Sequence, residues 1–371
     1  MGDSLLLNYH HIGGRGGKFP INIPSALRDG VRLTMYDADE DCIDEARESS
    51  FVAGFNMVSI YPFCISDQNS ESEFIITKQP HASSLLESNP EFYPYIRNSP
   101  KFGAMRLQEI LMPHKRIMLK TKKLSTVLSS MEGNEPDFIS LDTQGNEYDI
   151  MQSSKEILSN ALLINAEVSF VEMYKDQKTF PEIHNLMIGL GYMLADLKLY
   201  DPHHSCPTPV DFEGKGFLLD GEAFYIKQPD LEGWDLVKLV KYLFAAILCE
   251  QAHLCIRVFE VIRARYHLEL NMNYSKYMYM RLVKDIYDTY WQSCREYLPM
   301  FHESRTYSNY HLGGNKPSSE IGKSGSARAS YALSRNQYSE VLNRYGLSTF
   351  SEKIERQARI NIQTIEDISR Q

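Results

Sequence analysis

The sequence predicts an α/β protein: a mainly parallel sheet of about seven strands flanked by helices, followed by a helical C-terminal extension. Three observations carry that reading. From His10 to Lys227 short β-like runs alternate with helical patterns, as they do when a chain winds a parallel sheet and returns along its faces. The runs Phe138–Leu141 and Leu162–Val168 deliver carboxylates, Asp142 and Glu167, to neighbouring C-terminal strand ends, where open α/β sheets bind ligands. Beyond Lys227 the apolar residues switch to helical spacing, and Trp234–Phe301 contains no Gly and no Pro except Pro299.

In chain order, the first strand is Tyr9–Ile12, and it runs directly into a glycine turn with Gly13, Gly14, Gly16 and Gly17. Glycines there let backbone approach a ligand and permit positive φ. The second strand, Arg32–Tyr36, ends at Asp37, and Asp39–Asp41 suit the N-terminus of a helix over Cys42–Ser49. A third strand spans Met57–Cys64, and Glu73–Thr77 with Arg116–Lys120 forms an extra pair around the polar loop Gln79–Lys101. The basic run His114–Lys123 has an apolar interior and reads as a strand with solvated flanks. Phe138–Leu141 and Leu162–Val168 follow, then a helix in FPEIHNLMIGLGYML, then strands at Tyr192–Leu197 and Ala223–Ile226. The extension divides into a helical region at 230–301, a Gly- and Ser-rich linker at 302–330 and a charged helical segment at 331–371.

Composition excludes several classes. Lys+Arg 39 against Asp+Glu 48 gives a net charge of −9, which argues against a nucleic-acid partner. The 6 cysteines form no CxxC pair, and no charged segment with an apolar signal core opens the chain, so a reducing cytoplasm is expected. No apolar run reaches the ~20 residues of a membrane span, so the protein is expected to lack a transmembrane segment, with peripheral membrane contact left open.

The glycine turn and Asp37 form a linked pair. An acid at the end of the second strand can accept both ribose hydroxyls of a nucleoside, which fits a nicotinamide dinucleotide or S-adenosylmethionine. A dinucleotide site wants a third glycine where Phe19 stands, with Pro20 behind it. That disfavours the dinucleotide.

At this point the residues resemble the FkbM-type S-adenosylmethionine-dependent methyltransferases, most specifically in FISLDTQGNEYDIMQ and in EVSFVEMYKDQKTFPEIHNLMIGLGYML. The resemblance implies a Rossmann-like class I methyltransferase fold over residues 1–229, with S-adenosylmethionine as cofactor. It places His11, Gly13, Gly14 and Gly16 on the cofactor loop, with His11 where the family carries an acid. Asp37 falls on the ribose acid, Tyr36 on an aromatic position, and Ser66 and Asp67 where such folds contact adenine. A turn-forming role suits Asp67 equally. Ser83 and Ser84 match a Ser-Ser pair of the family without a derivable function.

Methyl transfer is an in-line displacement that needs register and exclusion of water more than acid–base strength. For a hydroxyl acceptor, Asp142 or Glu167 is placed to take the proton, and the same two acids holding Mg²⁺ is the alternative. Glu147 stays on the catalytic list beside its reading as a helix N-terminal acid. The resemblance implies O-methylation of a sugar or glycoconjugate, while the helices after residue 234 could equally serve a homodimer, a helical partner or a lipid-linked acceptor. The competing functions are a nicotinamide-dependent oxidoreductase and a methyltransferase-fold scaffold that has lost catalysis. His203, His204 and Cys206 have zinc-ligand atoms without a fourth partner at finger-like spacing. Tyr174 reads as a pocket-lining or core aromatic, and His184 as an ordinary helix residue.

Overall fold

The computed structural model describes residues 5–13, 20–38, 42–49, 52–95, 107–131, 133–199, 218–266, 277–289, 337 and 339–348. The expected linker at 302–330, Gly14, Gly16, His203, His204 and Cys206 lie outside the described residues, as does most of 331–371.

Strands β1 (Leu7–Ile12), β2 (Val31–Tyr36), β3 (Met57–Tyr61), β4 (Cys64–Ile65), β5 (Glu71–Thr77), β6 (Pro113–Lys122), β7 (Phe138–Leu141), β8 (Leu163–Ser169), β9 (Tyr192–Leu199) and β10 (Asp220–Lys227) build two sheets. The larger has 7 strands in the order β3-β2-β1-β7-β8-β10-β9. Strands β3, β2, β1, β7 and β8 pair in parallel, while β10 runs antiparallel to both β8 and β9. This is a doubly wound, Rossmann-like sheet with its last strand inserted backwards. Chain order reverses between β1 and β7, which makes the edge above those strands the crevice of the sheet.

The smaller sheet, β4-β6-β5, replaces part of one expected strand. Met57–Cys64 reads as one run, but Pro62 has no N–H to give a ladder. Phe63 N–H turns back onto Tyr61 O at 2.9 Å, and Cys64–Ile65 then pairs with β6 instead. The expected pair survives as the antiparallel β5–β6 ladder.

Helices α1 (Cys42–Glu48), α2 (Leu107–Ile110), α3 (Leu124–Leu128), α4 (Glu147–Ser153), α5 (Lys155–Leu158) and α6 (Phe180–Gly189) lie between strands. One sheet face presents Ile12, Tyr36, Ile139, Leu141, Ile164 and Ala166 to Leu124, Ile150, Leu158, Ile183 and Met187 of α3 to α6. Each such fully buried aliphatic side chain contributes roughly 1.5–3 kcal/mol. A capping box at Thr179 and Glu182 starts α6: the Glu182 carboxylate accepts Thr179 Oγ–H and Thr179 N–H, and chiefly the hydroxyl hydrogen bond holds that carboxyl below its usual range.

Helix α7 (Leu236–Leu248) starts at Asp235, whose Oδ1 accepts Lys238 N–H at 2.8 Å. Every residue from Leu239 to Ile247 is buried, and the Phe244 ring lies 6.2 Å from that of Phe138. Lys241 Nζ donates to Asp137 Oδ2 at 2.7 Å, and the same oxygen accepts Asn8 N–H at 2.9 Å. One oxygen thus ties α7 to the approach of β7 and to β1. The compact unit accordingly runs past residue 229, comprising Met1–Ile23 and Gly30–Gln251.

A second unit comprises Pro24–Asp29 and Ala252–Gln371. Within it, Phe259 of α8 (Ala252–Tyr266) packs edge-on against Tyr287 at 5.6 Å, and Tyr345 O–H donates to Asp285 at 2.7 Å. No helix among the described residues is long and apolar enough to cross a membrane.

Replacing Lys241 by Met leaves Asp137 buried without its cation. Urea unfolding should show a loss of about 3 kcal/mol, much of it recovered by adding Asp137→Asn.

Candidate active site

The crevice edge is built from strand tips stitched by backbone. Gly13 N–H donates to Tyr36 O at 2.9 Å, Asp142 N–H to Ile12 O at 2.9 Å, and Asp37 N–H to Tyr61 O at 3.1 Å. Gly13 has φ +91°, and a Cβ there would lie 1.7 Å from Asp142 O. The first residue of the glycine turn therefore has two separate reasons to be glycine. Asp37 is half-buried at the tip of β2.

His11 lies one rung below this edge. It pairs across β1–β7 with Ser140, which pairs in turn with Asn165 of β8, and its Nδ1 stands 2.6 Å from Ser140 Oγ. The Tyr9 hydroxyl, two residues back on the same strand face, is 2.9 Å from that Oγ. All four side chains are fully buried. The pleat turns the imidazole into this layer beneath the crevice. Tyr36 is buried too, its hydroxyl 3.0 Å from His10 Nδ1, and burial brings the His10 imidazole down to about 4.

Ser66 and Asp67 follow β4 on the smaller sheet. Ser66 Oγ donates to Asp67 Oδ1 at 3.0 Å and Gln68 Nε2 to Asp67 Oδ2 at 3.2 Å, so both carboxylate oxygens serve the local turn. Asp67 lies near enough to α4 that, after burial, its charge is the next cause raising the Asp149 carboxyl.

The densest chemistry sits in the turn from β7 into α4. Gln144 has φ 57° and Gly145 φ 106°, a left-handed pair that brings successive N–H groups to one side. Glu147, the first residue of α4, fills that concavity. Its Oε1 accepts Thr143 N–H at 2.6 Å and Thr143 Oγ–H at 3.0 Å, and its Oε2 accepts Gly145 N–H at 3.0 Å. Burial, opposed by these donors and aided by Asp142, takes its carboxyl up to about 7. Both Glu147 oxygens are turned toward the backbone of the turn.

With the turn so held, Gln144 points its amide between the two predicted acids. Nε2 donates to Asp142 Oδ1 at 2.7 Å and to Glu167 Oε2 at 2.8 Å. The amide oxygen lies 3.1 Å from the Tyr174 hydroxyl, which shares its one proton between that oxygen and Ala82 O, also at 3.1 Å, and the Gln144 carbonyl accepts Ser84 Oγ–H at 2.7 Å. Ser83 instead accepts Thr77 N–H with its Oγ, at 3.2 Å. Asp142 and Gln144 are half-buried and Glu147 is buried. Glu167, also half-buried, has its carboxyl raised well above the usual range by burial, then by Asp142, Glu147, Asp220 and Glu222. Glu222 is its register partner across β8–β10.

Gln144 is the residue that the sequence reading passed over. Its signal was a long amide directly before the glycine of an Asp-x-Gln-Gly turn. Among the described residues no group of three or more His, Cys, Asp or Glu side chains is arranged to hold a metal ion.

Residues 55–194 match the Methyltransferase FkbM domain. Among solved structures, the chain is similar to magnesium protoporphyrin IX methyltransferase from Synechocystis PCC 6803 with bound S-adenosylmethionine, at 10% identity and TM-score 0.30, over 61% of this chain and 73% of that one. It is also similar to a Streptococcus pneumoniae protein described as a tRNA methyltransferase, at 10% identity and TM-score 0.28, over 75% of this chain and 92% of that one. The fold class rests on strand order and register rather than on these neighbours. No curated protein matches the chain in sequence.

Because the folded-state value of Glu147 lies above its unfolded one, its contribution to stability is fully present below about pH 4.5 and is lost as pH rises through about 7. Glu147→Gln should lower stability at every pH, through the lost acceptor, and flatten that slope. Denaturant titrations at pH 4, 5.5 and 7.5 would check it.

Proposed function

We propose that this chain, whose residues 55–194 form an FkbM methyltransferase domain, is an S-adenosylmethionine-dependent O-methyltransferase acting on a hydroxyl of a sugar or glycoconjugate. The observation that carries the reading is the pairing of Asp142 and Glu167 through one amide, on the strand adjoining the Gly13 turn. That places two oxygen acids beside the crevice where the chain order reverses, as proton transfer from an acceptor hydroxyl requires.

The residues present fit the cofactor. The Gly13 backbone lies flush against Asp142 O, an approach that glycine alone permits and that keeps the turn narrow at the crevice edge, and Asp37 caps β2 where it can accept ribose hydroxyls. The bound cofactor would supply an electrophilic methyl on a sulfonium. The protein's part is to hold the acceptor oxygen in line with that carbon, exclude water and receive the proton. His11, fixed in its layer by Ser140, acts in this reading by shaping the floor beneath Gly13.

Mg²⁺ has no place in this reading. The group that reaches both acids is an N–H donor, Gln144 Nε2, whereas a hard cation selects oxygen. The acids serve as hydrogen-bonding and proton-accepting groups.

Calorimetry with S-adenosylhomocysteine and, separately, NADH tests the assignment. Binding of the first and not the second is expected, and no detectable S-adenosylhomocysteine binding would overturn it. Asp142→Asn should cut turnover about 10²–10⁴-fold while S-adenosylhomocysteine affinity stays within a few-fold.

A further inference from the structure

We propose that Gln144 is a positioning residue for this reaction: its amide fixes Asp142 as the carboxylate that takes the acceptor's proton and Glu167 as a neutral acid that donates a hydrogen bond beside it. The proposal rests on the methyltransferase reading for its chemistry, and on the geometry of the fork for everything else.

A primary amide has two N–H groups in one plane, and Gln144 spends both on the acids, at 2.7 and 2.8 Å. The remaining oxygens, Asp142 Oδ2 and Glu167 Oε1, are then the ones left to meet an acceptor. The fork cannot swing freely. Its oxygen shares the Tyr174 O–H with Ala82 O, its carbonyl accepts Ser84 Oγ–H, and its backbone sits at φ 57° in the turn that Glu147 holds. Tyr174 also packs over Gly145, where a Cβ would come within 3.0 Å of its ring. Tyr174 is thus tied to the fork at the amide and at the adjacent turn.

Two half-buried carboxyls held close together resist carrying both charges at once. The groups around them decide which keeps the proton. Glu167 faces Asp142 at the tip of β7, Glu147 of α4, and Asp220 and Glu222 of β10, all acidic. The cation in register with Glu222 is Lys198 of β9, with its Nζ 4.2 Å from the Phe224 ring centroid. The acids gathered around Glu167 favour its keeping the proton, and the role of proton acceptor in this proposal falls to Asp142.

The chemistry follows with atoms balanced. The acceptor oxygen forms its bond to the methyl carbon as the carbon–sulfur bond breaks, the electron pair leaving with sulfur, and the hydroxyl proton passes to Asp142 and then to solvent. Glu167, as a carboxylic acid, donates to a second oxygen of the acceptor. An acid–carboxylate pair so arranged matches a vicinal diol, one hydroxyl giving its proton and its neighbour accepting a hydrogen bond. The substrate class inferred is therefore a sugar bearing adjacent free hydroxyls.

The test reads the carboxyls directly, on the full chain. Infrared spectra at pH 7 should show protonated-carboxyl absorption, part of it from Glu147, whose intensity falls in Glu167→Gln. In Gln144→Leu, loss of the donor to Asp142 should raise the apparent midpoint of the second carboxyl by about one pH unit or more, with S-adenosylhomocysteine affinity unchanged by calorimetry. Tyr174→Phe frees the amide without touching either acid, and should give a smaller shift in the same direction. Unchanged midpoints in both variants, or protonated-carboxyl absorption undiminished in Glu167→Gln, would overturn the proposal. Absence of S-adenosylhomocysteine binding in the unmodified protein would instead remove the methyl-transfer reading while leaving the fork's effect on the two carboxyls to be judged from the spectra.

Discussion

The meeting of β1 and β7 at their C-terminal tips sets everything else at the crevice. Ile12 O receives Asp142 N–H while Gly13, at positive φ, leaves no room for a Cβ against Asp142 O. One such hydrogen bond is worth only about 1 kcal/mol net, so its importance is geometric. Through Gly13 N–H the contact fixes the tip of β2 and hence Asp37. Through Asp142 it sets the origin of the turn whose amide reaches Glu167, one strand further along. A displacement at this junction would move Asp37 and the two acids together.

Much of the sheet was legible because parallel strands buried on both faces write largely apolar runs, and Phe138–Leu141 and Leu163–Ser169 do so apart from Ser140, Asn165, Glu167 and Ser169. Carboxylates at the ends of those runs were legible for the same reason. What periodicity does not encode are the long-range partners. The run Met57–Cys64 hid a change of sheet at Pro62, visible only once the ladder needs a donor that proline lacks. Nor does motif position reveal the face of the pleat, which turns His11 toward Ser140. Gln144 depends on a left-handed backbone and on Tyr174, thirty residues downstream. Nothing local to Gln144 announces that pairing.

Below the crevice the sheet carries a polar layer where a hydrophobic one would have been cheaper. Tyr9, His11, Ser140 and Asn165 share one strand face across three strands, all fully buried. Hydrogen bonds offset their desolvation only when geometry is good, so such a layer favours one register over its neighbours. A slip by one residue would put these groups into the apolar face packed on α3 to α6. The acids at the edge are thereby placed to within a single rung.

The pairing of Asp137 with Lys241 has a consequence for how the chain is made. The two residues are 104 positions apart, and synthesis proceeds from the N-terminus. A nascent chain can assemble β1, β7 and β8 before α7 has left the ribosome, but Asp137 then has Asn8 N–H as its partner and no cation. Until residue 241 emerges, that carboxylate favours an open, hydrated lower edge over a closed one. The last helix of the unit thus acts as a latch in time as well as in space, setting when during translation the sheet can close.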